Sequence, residues 1–347
     1  MTTAQNHQIR LVARPVGTPG PEVWQHTEEP VPEPGAGRFV VRVSHLSIDP
    51  AMRGWMNEQR SYVPPVGIGD VMRAIAAGEV VASNHDGFPV GDAVTGMFGA
   101  QEYAVSDGRG VLTIDPAAAP LPTYLAALGM TGMTAYFGLL DVGALRSGDT
   151  VVVSGAAGAV GSVVGQLAKI KGARAIGIAG GAEKCRWITE ELGFDAAIDY
   201  RSEHLGKALR QHAPDGVDVY FDNVGGGVLD AVLAHLARRA RVVICGAISQ
   251  YNSDTGFTGP KNYFSLLVNR ARMEGFIVLD YADQYGEAAA ELAGWLRDGS
   301  LRSREDVVAG SVTDFPEVFL RLFRGENVGK LILQIGAVRP SREPPPG

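Results

Sequence analysis

The sequence predicts an α/β protein in two parts, a partly open β-barrel and a doubly wound parallel sheet. Three observations predict it. From about residue 8 to 115, short β-type runs alternate with glycine and proline turns. From about residue 125, strand-like runs alternate with helix-like ones. At the head of that second part, the apolar run "TVVV" enters "SGAAGAVG" and leaves in the helical pattern "SVVGQLAKIKG". A strand, a glycine turn and a helix are the parts of a phosphate cradle.

The barrel elements are "FVVRVSHLSIDP" (Phe39 to Pro50), "VMRAIAAGEVVAS" (Val71 to Ser83) and "GDAVTGMFGAQEYAVS" (Gly91 to Ser106), separated by breakers such as "PEPGAG" and "HDGFPVGD". Short strands between such breakers suit a closing antiparallel sheet. Tyr124 to Gly143 reads as helices broken by glycines. Six strands follow: Thr150 to Val153, Ala173 to Ala179, Ala196 to Tyr200, Val217 to Asn223, Arg241 to Cys245 and Met273 to Leu279. Helices are expected over Ser162–Lys171, Glu183–Leu192, Leu229–Arg238 and Gly286–Asp298. Asn252 to Lys261 interrupts this rhythm as a long polar loop. The strand "GKLILQIG" is expected to return to the barrel, and "RPSREPPPG" to be a frayed end. The expected division is therefore 1–122 with 306–347, and 123–305.

A chain of 347 residues with a net charge of −7 does not suit a nucleic-acid surface, which wants a basic face. No apolar run reaches the roughly 18 residues that span a bilayer, and "MTTAQNHQIR" lacks a signal-peptide core. Two cysteines, Cys185 and Cys245, make no disulfide framework. A soluble cytoplasmic protein is expected, with no membrane or nucleic-acid partner.

The turn reads G-x-x-G-x-x-G through Gly155, Gly158 and Gly161, with Ala157 where G-x-G-x-x-G has its middle glycine. Alanine is small enough for the backbone to approach a pyrophosphate, and the following helix directs its amides and dipole at the anion. NAD binders carry an acid about 20 residues past the turn for the ribose 2′-hydroxyl. Here "ARAIGIAG" ends in Gly180-Gly181 without one. The glycines leave room for a 2′-phosphate and Lys184 offers charge, so NADP(H) is expected. Glu183 is explained as an acid in a helix's first turn.

No zinc site can be assembled from the motifs. Residues 1–184 have no cysteine, and His7, His26, His45 and His85 are isolated. His45 is expected to be packed or hydrogen-bonded. Cys185 and Cys245 read as small buried apolar groups.

"SGAAGAVGSVVGQLAKIKGARAIGIAGGAEKC", "GFDAAIDY", "FDNVGG", "CGAISQYN" and "NVGKLIL" together resemble the zinc-independent medium-chain dehydrogenase/reductases. Within them the sequence resembles the prostaglandin reductase and alkenal/enone double-bond reductase branch, curcumin reductase-like enzymes included. "LSIDPAMRGWM" and "SYVPPVGIGDVMRAIAAGEVVAS" fit as well, and the resemblance runs from about residue 8 to 335. It implies a GroES-like barrel beside a Rossmann domain, an NADPH cofactor and a homodimer. It implies that Gly158, Ala159, Val160 and Gly161 face the pyrophosphate, and that Lys184 and Tyr200 meet the 2′-phosphate. Asn223, the run Cys245, Gly246, Ala247, Ile248, Ser249 to Tyr251, and Phe276, Ile277 and Val278 are implied around the nicotinamide half. Asn327 is implied to reach the cofactor from the returning tail.

The implied reaction is reduction of an α,β-unsaturated ketone or aldehyde, with hydride to the β-carbon. A donor at the carbonyl oxygen stabilises the enolate. Tyr251 is the expected donor, because a phenol with an ordinary pKa of about 10 is protonated at neutral pH. The ribose 2′-hydroxyl is an alternative, and the α-carbon's proton comes from Tyr251 or water. Trp55, Met56, Tyr62, Tyr251 and Tyr263 are expected to make the substrate pocket apolar and aromatic, and Tyr62 reads as a pocket wall. Met130 and Met133 read as core near the cofactor. A zinc-free quinone reductase and an NADPH-binding protein without turnover are the alternatives.

Overall fold

The computed structural model describes residues 4–336, so the expected frayed end "RPSREPPPG" lies outside the described residues. An antiparallel ribbon, Gln5–Leu11 with Trp24–Pro30, flanks a seven-stranded sheet. That sheet runs Glu305–Ala309, Lys330–Gln334, Phe39–Ser47, Ala76–Ser83, Ala93–Gly96 and Leu112–Thr113, and Tyr103–Ser106 also pairs with Phe39–Ser47. Two register shifts along Phe39–Ser47 bend it so that the sheet can curl. The strand alternates towards one core, where Phe39, Val41, Val43 and Leu46 meet Leu331, Leu333, Phe315 and Phe319 from the far end of the chain. The C-terminal strands thus complete the barrel sheet. His45 is buried and its Nδ1 pairs with the Ser44 hydroxyl at 2.9 Å, and burial lowers its pKa.

The second sheet is six-stranded and parallel, in the order Ala196–Asp199, Arg174–Ala179, Thr150–Ser154, Val217–Asp222, Leu236–Ile244 and Arg272–Gly275. That is the doubly wound order, and it places ligands at the strands' C-terminal ends. Both faces are covered, which is why the first strand is apolar throughout: Val151 and Val153 enter one core and Val152 the other. The helix Ala159–Ile170 lies on this sheet. Gly165 is required in it, because a Cβ there would stand 1.8 Å from Phe194.

Three element expectations are corrected. The helix expected over Leu229–Arg238 spans Gly226–Leu233, and Leu236 already begins a strand. Pairing of Leu236 with Val217 overrides the helical preference of "LARRA". The strand expected over Met273–Leu279 is Arg272–Gly275; the chain leaves the sheet at Phe276, whose ring meets Phe221 edge-on. The helix expected over Glu183–Leu192 is Ala182–Arg186, continued as a wider π turn over Trp187–Glu191. Among the described residues no helix is long and apolar enough to cross a membrane.

Candidate active site

A cleft of about 1180 Å³ runs between the barrel and the C-terminal edge of the parallel sheet. Its floor is the glycine turn. Gly155 adopts φ +60°, a left-handed conformation that favours glycine, and a Cβ on Gly161 would lie 2.4 Å from the Gly155 carbonyl oxygen. The helix beyond starts at Ala159 without any side-chain cap, so its first-turn amides keep their donors for the cleft. The returning tail closes the turn from outside: the Gly329 amide donates to the Ala157 carbonyl at 2.8 Å, and Asn327 Nδ2 donates to the Gly329 carbonyl at 2.9 Å. Gly158, Ala159, Val160, Gly161 and Asn327 all line the cleft.

At one end the cleft becomes cationic. Lys184 Nζ donates to the Gly325 carbonyl at 2.7 Å, and its pKa is lowered by burial and then by the charge of Arg201. Tyr200 is 47% exposed, with the Arg201 guanidinium 6.0 Å from its ring centre. Gly180 makes this grouping possible, since a Cβ there would lie 2.9 Å from Tyr200 Oη and 3.0 Å from Arg201 Nε. Sequence reading missed Arg201. Its signal was a cation adjoining "AIDY" at the end of the third strand.

At the other end the lining is apolar and phenolic. Asn223 is tied back to the start of the glycine turn, its Nδ2 donating to the Ser154 carbonyl at 2.7 Å. Cys245, Gly246, Ile248, Ser249 and Tyr251 follow the fifth strand along the wall, and Phe276, Ile277 and Val278 line it as well. Burial pushes the Cys245 thiol up to about 12 and the Cys185 thiol up to about 11, which disfavours the thiolate form of both. Tyr251 Oη accepts the Ala247 amide at 3.1 Å, which leaves its own proton free to donate. Burial pushes this phenol up to about 12 against the opposing pull of that amide. From the barrel, Trp55 Nε1 donates to Tyr62 Oη at 3.2 Å, so Tyr62 too is held with its proton free. Met130 reaches the lining, while Met133 is core.

Three expected residues sit elsewhere. Ala247 is not in the lining, because its amide turns to Tyr251. Tyr263 is not in the lining either. It ends a short 3₁₀ turn beyond the polar loop and is 63% exposed. Met56 is fully buried in the barrel core and takes no part in the lining. Phe257 lines the cleft instead of Tyr263, its ring 6.3 Å from that of Tyr251 and edge-on.

The donor set fits a phosphorylated dinucleotide: uncapped amides, a glycine cradle and a cationic end pocket. It does not fit a tetrahedral zinc ion. His7 and His26, expected to be isolated, are brought to 3.0 Å by the pairing of the two ribbon strands, and with Glu28 they make the one group of three convergent His, Cys, Asp or Glu ligands among the described residues, outside the cleft.

Two family models match, the N-terminal domain of oxidoreductase over residues 7–114 and zinc-binding dehydrogenase over residues 159–294. The NADPH-dependent curcumin reductase of Escherichia coli is 40% identical over 336 residues, 95% of this chain and 97% of its own. The NADP⁺-dependent 2-alkenal reductase of Nicotiana tabacum is 39% identical over 308 residues, 88% of this chain and 89% of its own. The crystal structure of CurA from Vibrio vulnificus in complex with NADPH is 43% identical with a TM-score of 0.90, covering 97% of this chain and all of that one.

Proposed function

The chain belongs to the medium-chain dehydrogenase/reductase superfamily, in the branch of curcumin, prostaglandin and alkenal reductases, and from that premise we propose that it reduces the carbon–carbon double bond of α,β-unsaturated ketones or aldehydes with NADPH. The observation that carries the proposal is a single cleft with a cationic pocket at one end and two phenols free to donate at the other.

NADPH, when bound, would supply a hydride, a proton with two electrons, to the β-carbon of the enone. The chain's residues do the rest. Uncapped amides at Ala159, Val160 and Gly161 hold the pyrophosphate, and Lys184, Tyr200 and Arg201 hold the 2′-phosphate. Asn223, the wall from Cys245 to Tyr251, Phe276 to Val278, and Asn327 orient the rest of the cofactor. Tyr251 donates to the carbonyl oxygen as enolate charge grows there, in a setting where a fixed donor is worth more than in water. Tyr62, anchored by Trp55, closes the pocket and offers a second hydroxyl. The α-carbon takes its proton last, ultimately from solvent.

The reaction needs no zinc ion, and the cleft's donors support that reading. A cytoplasmic setting and a homodimer are part of the same proposal. The division of labour is proposed at 1–122 with 306–347 for substrate and 123–305 for cofactor. The test is NADPH consumption with a medium-chain 2-alkenone, a 2-alkenal, a quinone and no acceptor, repeated with NADH. Turnover of the enone and enal with NADPH well above NADH is expected. Quinone turnover without enone turnover, or equal use of NADH, would overturn the proposal.

A further inference from the structure

Asp222 ends the fourth strand of the parallel sheet and is 1% exposed. Four donors converge on one of its oxygens. Tyr220 Oη donates to Oδ1 at 2.7 Å, Ser154 Oγ at 2.9 Å, and the amides of Val224 and Gly225 at 3.0 Å each. All four are neutral. The other oxygen, Oδ2, is buried and has no partner, the one such side-chain atom among the described residues. Hydrogen bonds donated to a carboxylate favour its charged form, and no cation among the described residues is paired with this one.

The position gives that charge a use. The Asp222 backbone carbonyl accepts the amides of Cys245 and Gly246, at 2.9 and 3.0 Å, so the residue is joined to the wall proposed for the nicotinamide half, and its carboxylate takes the amides of Val224 and Gly225, which follow Asn223. Its neighbour Asn223 faces the cleft. The charge raises the pKa values of Cys245 and Tyr251, a minor contribution beside burial, so its field reaches the groups that line the cleft.

We propose that Asp222 is a buried counter-charge for the oxidised nicotinamide, one that makes hydride departure easier without touching the reacting atoms. The dihydronicotinamide ring is neutral. On giving up a hydride it becomes a cation, while the enone gains the electron pair as an enolate and later a proton from solvent. A fixed anion behind the ring favours the cationic form, and it needs no reorganisation when the charge appears.

The inference rests on the cofactor placement proposed above, and binding separates the two. Dissociation constants for NADPH and NADP⁺ are measured by titration on the wild-type protein and on Asp222→Asn. Asparagine retains Oδ1 as an acceptor for the donors and removes the charge, with an amide nitrogen in place of the partnerless Oδ2. In the variant the NADP⁺ constant is expected to rise at least about tenfold relative to that of NADPH, the scale of one unit charge about 12 Å away at an effective dielectric of about 20. Tyr220→Phe removes a donor but leaves the charge, and is expected to keep the wild-type ratio. On the wild type itself, the bound cofactor couple is expected to have a midpoint potential below that of the free couple.

A bound potential at or above the free value would overturn the inference even if Asp222→Asn fails to fold. So would equal losses for both cofactors, or an unchanged ratio in a folded variant. Failure of the wild-type protein to bind NADPH would instead overturn the placement on which the inference rests.

Discussion

In the role proposed for it, Tyr251 can donate only while it carries its proton. Burial lifts its pKa from an ordinary value of about 10 to about 12. Its share of catalysis should therefore stay constant from neutral pH up to about 10 and fall only as pH approaches 12. The sign for folding is the same: a raised pKa means the native state holds the proton more tightly. Stability linked to this group is complete below about pH 10 and is lost as pH rises towards 12. Tyr251→Phe keeps the ring and removes the hydroxyl. It should lower kcat by roughly 10- to 100-fold, at or below the usual cost of removing one such donor, with NADPH affinity unchanged. Steady-state kinetics with direct cofactor titration checks this, and an unaltered kcat would remove Tyr251 from the role. The residues around it differ in how legible they were. Gly155 and Gly161 were readable because their spacing is a backbone requirement. Arg201 was not, because a cation after a strand looks the same in sequence whether or not a pocket forms beside it. Tyr263 was misplaced because a loop's aromatic residues do not disclose which of them borders the cleft; Phe257 does, at its exposed rim.

At the scale of elements, the loop bearing Tyr251 is held by a residue in the other half of the molecule. Arg53, on the short helix Met52–Trp55, is 3% exposed. Its Nε donates to Asn252 Oδ1 at 3.0 Å, across 199 positions of sequence, and its Nη1 donates to Asn57 Oδ1 at 2.6 Å. Further bonds run to the carbonyls of Pro15 and Gly17. The same helix carries Trp55, so one guanidinium fixes both walls of the pocket. Asn252→Ala should raise KM for the enone several-fold and lower kcat, leaving NADPH affinity intact because the cationic pocket is untouched. Asn57→Ala breaks a bond within the barrel and should cost about 1–3 kcal/mol of stability, with a smaller effect on kcat than Asn252→Ala because Asn57, though it borders the cleft, does not hold the loop that bears Tyr251. Thermal melts beside initial rates separate the two, and identical behaviour would show that Arg53 has no particular hold on the loop. No motif signals such a link. The alternation of strands and helices was legible because each strand must bury two faces. The boundary at Leu236 was not, because only its pairing with Val217, not its local composition, decides for strand.

At the scale of the whole molecule, the parallel sheet ends in an unfinished edge. Arg272–Gly275 pairs with Leu236–Ile244 on one side and is exposed along its length. Around it, Phe264, Leu267 and Val268 are 62%, 68% and 56% exposed, and Met273 and Leu279 are exposed too. An open strand edge beside an apolar patch invites another chain, and natural sheets normally blunt such edges with charge or cover. A second copy of this chain is the simplest cover, since a two-fold axis brings edge to edge and patch to patch. The family resemblance implies a homodimer without locating its interface. Tyr263, expected in the substrate pocket, lies next to this patch in sequence, and its exposure fits a surface waiting for a partner. Light scattering after gel filtration should give twice the chain's mass. Leu267→Glu places two like charges in an apolar interface, one from each copy, and should yield monomers. Those monomers should still bind NADPH, because neither the glycine turn nor the cationic pocket touches this edge. A wild-type protein that runs as a monomer at micromolar concentration would show that the edge is left open.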